Sequence, residues 1–373
     1  MANTIKLKRG TSTPSTSDIS NGEVAIDTSA KKLYINDSGT VKEIGGGGAG
    51  TGEFFVKAKD GSGNLSSSGI NTFAGYLAGN ALANGAQENT FYGTSAGKSV
   101  TTGDDNTYIG FECARETTDG NTNTALGSGA YFASTGGNAN TVLGAAAMGG
   151  GTPTGDSNVA VGKNSLYVVS SGSNNTAVGT DSLKALTTGT YNVAIGRGTA
   201  QTLTTGSYNV LLGKDAGGGD TVTGGYNVGI GNHACYLLTS GEANTSIGAD
   251  SLLNITTGNN NVALGMDALR DVSSGNSNVG LGKDAARNLT TSTGNVAIGF
   301  EALYTEDTKS GVVAIGYRAL KSQNATYGLN TAVGYMAGAA LTDSTENVFV
   351  GYSAGAALTT GGGTFIGGKA GEQ

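Results

Sequence analysis

The chain has 373 residues, a formal net charge of −7, 13% charged residues, 66 glycines, 2 prolines and no tryptophan. Glycine without a Gly-X-Y triplet excludes collagen, and Val, Ile and Thr recurring at a fixed period exclude a disordered chain. The acidic balance offers no basic face to a phosphate backbone, so nucleic acid is not an expected partner.

Met1 to Lys8 lacks a basic segment followed by an apolar run, so no secretory signal is read. No stretch approaches the ~20 apolar residues of a membrane helix, so membrane insertion is not expected and synthesis is expected in a cytoplasm. Residues 1–45 differ from all that follows. Thr4-Ile5-Lys6-Leu7-Lys8, Glu23-Val24-Ala25-Ile26-Asp27 and Lys32-Leu33-Tyr34-Ile35-Asn36 alternate with period two and predict three strands. Asp37-Ser38-Gly39 supplies a turn before Val41-Lys42-Glu43-Ile44. A module this small buries little surface alone and ordinarily needs oligomerisation. Residues 46–70 follow as a Gly-rich linker (Gly45 to Gly52) and a lead-in, with Phe54-Phe55-Val56 as a candidate strand over the first repeat.

Residues 71–373 are an array. Asn192-Val193-Ala194-Ile195-Gly196 is one of 18 copies, spaced 17 or 18 residues apart with a single gap of 16, and sixteen copies begin with Asn. Such a period is the mark of a solenoid, which grows by stacking units rather than by enlarging one core. With the Asn as position 1, position 2 is always Val or Thr, and position 4 is Ile, Val or Leu in all but the first two copies. Position 5 is invariant Gly, suited to a tight turn with positive φ. Positions 2 and 4 share one strand face and position 3 the other. Asn192, Asn209, Asn261 and Asn295, with Gly196, Gly213, Gly265 and Gly299, mark an expected structural ladder in which amides stacked in register would hydrogen-bond. Position 8 is always small and position 12 often apolar, so each unit should hold one strand and a second, weaker one. A helical turn is the rival for that second half, as at Asp267-Ala268-Leu269-Arg270. At about 4.8 Å per coil the array would extend roughly 85 Å.

Position 3 is mostly Ala or Gly in the middle of the array but aromatic near its ends, at Phe73, Phe91, Tyr108, Phe349 and Phe365. Small residues there would let another chain approach, around a threefold axis or, in a monomer, line a narrow second layer. The aromatic residues would then plug that axis or mark contacts with neighbouring modules. The expected fold is all-β: a β-solenoid or β-roll of about 18 coils, trimeric, behind a small N-terminal β-prism module.

Two resemblances bear on this reading. Ile5-Lys6-Leu7-Lys8-Arg9-Gly10-Thr11, Asn21-Gly22-Glu23-Val24-Ala25-Ile26-Asp27 and Lys32-Leu33-Tyr34-Ile35-Asn36-Asp37 together resemble the N-terminal β-prism module of bacteriophage tail-fibre and tropism-determinant proteins. That resemblance implies a threefold-symmetric module of a virion fibre and carries no catalytic residues. The repeat Asn-Val-Ala-Ile-Gly-x-x-Ala resembles the head repeat of YadA-type trimeric adhesins, a left-handed parallel β-roll built by three chains, though with a longer period. No adhesin signal peptide, coiled-coil stalk or membrane barrel is read, which favours the phage fibre.

Catalytic chemistry is sparse. His233 is the single histidine and falls at a variable position, which is insufficient for a catalytic triad or a His-rich metal site. Cys113 and Cys235 read as small apolar fillers rather than a disulfide or metal pair. Gly213-Lys214 and Gly282-Lys283 lack the spacing of a phosphate loop. Glu301, Glu306 and Asp307 cluster, but a solvated loop accounts for them more simply than a glycan-cleaving pair. The expectation is a non-enzymatic structural fibre with no cofactor and no metal. Its partners would be itself as a homotrimer, other virion tail or baseplate proteins, and a host cell-surface receptor. The alternatives are a bacterial trimeric adhesin fragment and an ice-binding solenoid, the latter prompted by the Thr and Ser columns.

Overall fold

The computed structural model describes residues 8–10, 15, 24–27, 32–37, 40–44 and 57–59, and 71–371 apart from 83–85, 306–307, 324–327 and 361. The chain divides into two compact units, Met1–Val56 and Lys57–Gln373. The first holds one four-stranded sheet of β1 (Lys8–Gly10), β2 (Val24–Asp27), β3 (Lys32–Asp37) and β4 (Thr40–Ile44). β1 runs parallel to β2, and the other two pairs are antiparallel. The expected first strand at 4–8 overlaps β1 only at Lys8; its other residues, like Phe54-Phe55-Val56, lie outside the described set.

The second unit is a β-solenoid. It opens with β5 (Lys57–Lys59), followed by one strand per coil from β6 (Asn71–Ala74) to β23 (Thr364–Ile366). β5 pairs antiparallel with β6, and each later strand pairs parallel with the next, position on position, as in Val193↔Val210, Ala194↔Leu211 and Ile195↔Leu212. The coils are numbered here 1 to 18 by their first residue, from Asn71 to Gly363.

The second half of each coil is neither strand nor helix. In coil 7, Asp181 and Leu183 have positive φ, of 58° and 48°, while Ser182 between them and Lys184 after them do not. This alternation turns successive N–H groups toward opposite neighbours. Asp181 N–H donates back to Lys163 O at 2.9 Å, and Leu183 N–H donates forward to Thr199 O at 3.0 Å. Short i→i−3 bonds, Ser182 to Gly179 and Leu186 to Leu183, close the intervening turns. The helical reading of Asp267 to Arg270 fails for this reason, since Asp267 and Leu269 have φ of 57° and 49°. The expected second strand is reduced, among the described residues, to two isolated bridges, Leu203↔Val222 and Asp343↔Thr360.

Burial corrects the expectation for position 3. Ala160, Ala177, Ala263, Ala297 and Ala314 are fully buried within the single chain, whereas positions 2 and 4 point outward. Position 3 therefore faces the coil's own interior and no partner. The core is built from positions 3, 8, 9 and 12, as with Ala177, Ser182, Leu183 and Leu186 in coil 7. Seventeen residues enclose so narrow a section that positions 3 and 9 compete for one space. Where position 9 is Leu, position 3 is small. Where position 3 is aromatic or Leu, position 9 is Gly or Ala: Phe73 with Gly79, Phe91 with Gly97, Tyr108 with Ala114, Leu211 with Gly217, Phe349 with Gly355, Phe365 with Gly371. A Cβ built on those glycines would lie 2.3–2.8 Å from the facing side chain, closer than packed atoms come.

Candidate functional site

The ladder residues solve a backbone problem. Where the chain enters the strand, its amide and a nearby carbonyl are sealed from water and need partners. All sixteen position-1 asparagines are buried. Asn192 receives Oδ1 of Asn175 on both its backbone N–H (3.0 Å) and its Nδ2 (3.1 Å), and its Nδ2 also donates to Gly206 O at 2.9 Å. Asn209, Asn261 and Asn295 repeat the pattern on Asn192, Asn244 and Asn278. Val312 interrupts the ladder, and there the buried Gln323 accepts the Asn330 amide at 3.2 Å. The glycines are held for two reasons. Gly196, Gly213, Gly265 and Gly299 have φ of 129–137°, and a Cβ on any of them would lie 2.4–2.7 Å from the next coil's glycine.

The aromatic residues at position 3 fill the interior of the terminal coils. Phe73, Phe91 and Tyr108 stack at 5.3 and 5.0 Å between centroids, and Tyr131 continues the column at 6.2 Å. Phe349 and Phe365 stack at 5.4 Å. The Tyr108 hydroxyl is buried without a hydrogen-bond partner. Its neighbour Asn123 already uses both amide hydrogens on Asn106 and Gly137 and accepts twice from Asn140.

The titratable groups form ladders of their own. His233 sits between Asp215 and Asp250 of the adjoining coils, with Nδ1 3.2 Å from Asp250 Oδ1, and edge-on to Tyr236. Glu301 is held by Arg318 and Lys321 at 2.7 Å each. Burial opposes its ionisation, but hydrogen bonds and charge from Lys321 and Arg318 outweigh it and keep its carboxyl below the usual value. Glu306 and Asp307 lie outside the described residues. Cys113 and Cys235 are buried free thiols, and burial pushes each up to about 12. Among the described residues no three His, Cys, Asp or Glu side chains are grouped to hold a metal ion, and no helix is long and apolar enough to cross a membrane. Thr187, Thr204, Thr239 and Thr256 donate their hydroxyls to the next coil's carbonyl, so this Thr column is engaged within the coil stack.

What remains outward is the ladder face. Position 2 contributes Val or Thr and position 4 Ile, Leu or Val, and Leu126, Leu143, Ile195 and Leu264 are each 43–44% exposed. The residue before each Asn, at position −1, and the residue after each Gly, at position 6, border this face. Tyr191, Tyr208 and Tyr226 form one exposed stack along the first border, at 5.1 and 5.0 Å, with left-handed φ of 57–61°. Phe300, Tyr317, Tyr335 and Tyr352 stack along the second at 5.0–5.4 Å. The chain matches no family model, no curated protein and no solved structure. Sequence reasoning passed over both columns because positions −1 and 6 vary along the array and read as variable positions beside the strand. Reading the border positions down the aligned repeats would have found them.

Proposed function

We propose that this chain is a non-enzymatic structural protein, the rod of a homotrimeric virion fibre such as a phage tail fibre, which positions a surface for host attachment. The observation that carries the reading is the outward ladder face. Eighteen strands present Val or Thr, sixteen of them beside Ile, Leu or Val, in unbroken register, and soluble monomers rarely expose apolar patches of such extent. A stripe about 85 Å long and about 10 Å wide amounts to roughly 800 Å² per chain, the area that each partner of a standard stable interface buries. Three such faces turned inward close a prism whose centre is filled by positions 2 and 4. The role given at sequence level to position 3 thus passes to the opposite face of the strand. The N-terminal module, by its resemblance, belongs to the same threefold assembly. Tail or baseplate proteins and a host surface receptor would be the further partners, engaged with avidity from threefold copies.

Light scattering on the full chain tests the reading. The expected mass is three times the 36.8 kDa of one chain. Ile195→Lys with Leu212→Lys should lower it toward one chain while leaving the circular dichroism unchanged. A monomer at all concentrations overturns the proposal, and an ice-shaping activity in that monomer would point to the ice-binding solenoid instead.

A further inference from the structure

The two aromatic borders are arranged in a way that an isolated solenoid does not require. Tyr191, Tyr208 and Tyr226 lie at position −1 of coils 8, 9 and 10. At position 6 of those coils, across the face, stand Arg197, Lys214 and Asn232, all exposed. In coils 14 and 15 the order is reversed: Phe300 and Tyr317 occupy position 6, and position −1 is Gly294 and Gly311. A Cβ on Gly294 would meet nothing within 4 Å, and one on Gly311 would meet only Leu329. No coil has an aromatic residue at both borders. Position −1 is left-handed in every coil from 2 to 17, and three successive coils place an exposed tyrosine there.

We propose that the position −1 border of one copy of this chain packs, at the same height, on the position 6 border of the next copy. This inference rests on the trimeric reading above and adds to it the contact pairs and the register. When three flat faces close a prism around an axis parallel to the solenoids, the two borders of each face meet the opposite borders of its neighbours at the prism corners. At coils 8 and 9 the corner then sets Tyr191 and Tyr208 against Arg197 and Lys214, a pairing of ring and cation. Lys214 keeps Asp215 at 2.8 Å as its own-chain partner. At coils 14 and 15 the rings of Phe300 and Tyr317 enter the space left open at Gly294 and Gly311. Only the in-register pairing keeps all four of these pairs: a shift by one coil sets Tyr208 against Asn232 or Tyr191 against Thr180, a shift by two or three sets tyrosines against Ala249 or Met266, and an antiparallel arrangement loses both matches, so the borders select a parallel, in-register trimer.

Cysteine crosslinking of the full chain decides this. In a Cys113→Ala/Cys235→Ala background, Tyr208→Cys is combined with Lys214→Cys on the same coil or with Ala249→Cys two coils away. Within one chain residues 208 and 214 are about 15–20 Å apart along an extended segment, beyond the ~7 Å that a disulfide spans. Mild oxidation should give a covalent trimer on a denaturing gel for 208 with 214, and at least tenfold less for 208 with 249 or for 208 alone. A solution trimer whose crosslinks favour 208 with 249, form through 208 alone, or fail to form overturns the border pairing while leaving the trimer intact. A solution monomer overturns the trimer itself and the pairing with it.

Discussion

The competition between positions 3 and 9 yields a quantitative prediction at coil 9. Leu211 is fully enclosed, and a Cβ on Gly217 would come 2.8 Å from its Cδ1. Leu211→Ala removes a buried isobutyl group and should cost about 2–5 kcal/mol. Gly217→Leu alone drives a branched side chain into the space Leu211 fills, for about 1–3 kcal/mol or more. The left-handed φ of 57° at Gly217 is not itself the obstacle, because Leu183 and Leu269 occupy position 9 with φ of 48° and 49°. The double variant reproduces the arrangement of Ala177 with Leu183 in coil 7. Its loss should therefore stay below about 2 kcal/mol, leaving a coupling of about 3 kcal/mol between the two sites. Urea titration of the full chain, with hydrogen exchange at coils 8–10 as the local reading, measures it; a solenoid need not unfold in one step. Losses that simply add would refute the shared-space account.

Three further outcomes follow from the interior and the charge ladders. Asn261→Ala deprives Gly275 O of its donor and the Asn278 N–H and Nδ2 of their acceptor; at about 1–3 kcal/mol per unsatisfied buried group it should destabilise by several kcal/mol, read by hydrogen exchange at coils 11–13. The carboxyl of Glu301 is held below its ordinary 4.5 in the folded chain, so its stabilising contribution is present above about pH 4.5 and lost as pH falls through the folded value. Melting temperatures of the native chain and Glu301→Gln should differ at neutral pH and converge in acid, whereas a pH-independent gap would contradict the assignment. Cys113 and Cys235 should resist a thiol reagent at pH 8 until denaturant is added, because burial leaves almost no thiolate; labelling at the rate of a free thiol would mean that the coils open.

The sequence made the solenoid legible because its most regular columns serve the backbone. Asn at position 1 and Gly at position 5 recur where a buried amide needs a partner and where the next coil leaves no room for a Cβ, and few other side chains meet those demands. The direction of position 3 was not legible from alternation, since both strand faces are apolar and a period of two separates them without saying which is inside. Alanine at position 3 was small to make room for Leu at position 9, not for a second chain, and that only emerges once residues six apart are compared. The left-handed residues at Leu183, Leu252 and Leu269 carried no warning either. Leucine has no intrinsic preference for positive φ, and the neighbouring coils' hydrogen bonds impose it. Of the three N-terminal strands read from alternation, those at 23–27 and 32–36 appear close to their expected places as β2 and β3.

The placement of rings inside the array follows from the position of a coil in the stack. An inner coil is covered on both sides, so alanine at position 3 and leucine at position 9 suffice to fill it. An end coil has a single coil neighbour and gains roughly half the interface energy, which is why solenoid ends ordinarily need special capping. At the N-terminal end the antiparallel strand β5 covers coil 1, and beneath it Phe73, Phe91, Tyr108 and Tyr131 form a continuous column through four coils. At the other end Phe349 and Phe365 repeat the device through the last two coils. Each such ring buries more surface than the alanine it replaces, and offset stacking adds about 0.5–1.5 kcal/mol per pair. The glycine at position 9 in most of these coils is then a consequence, required because the ring already fills the section. The aromatic ends of the array are thus explained by one-sided stacking of a thin coil, and they would be needed whether the rod stands alone or in a trimer.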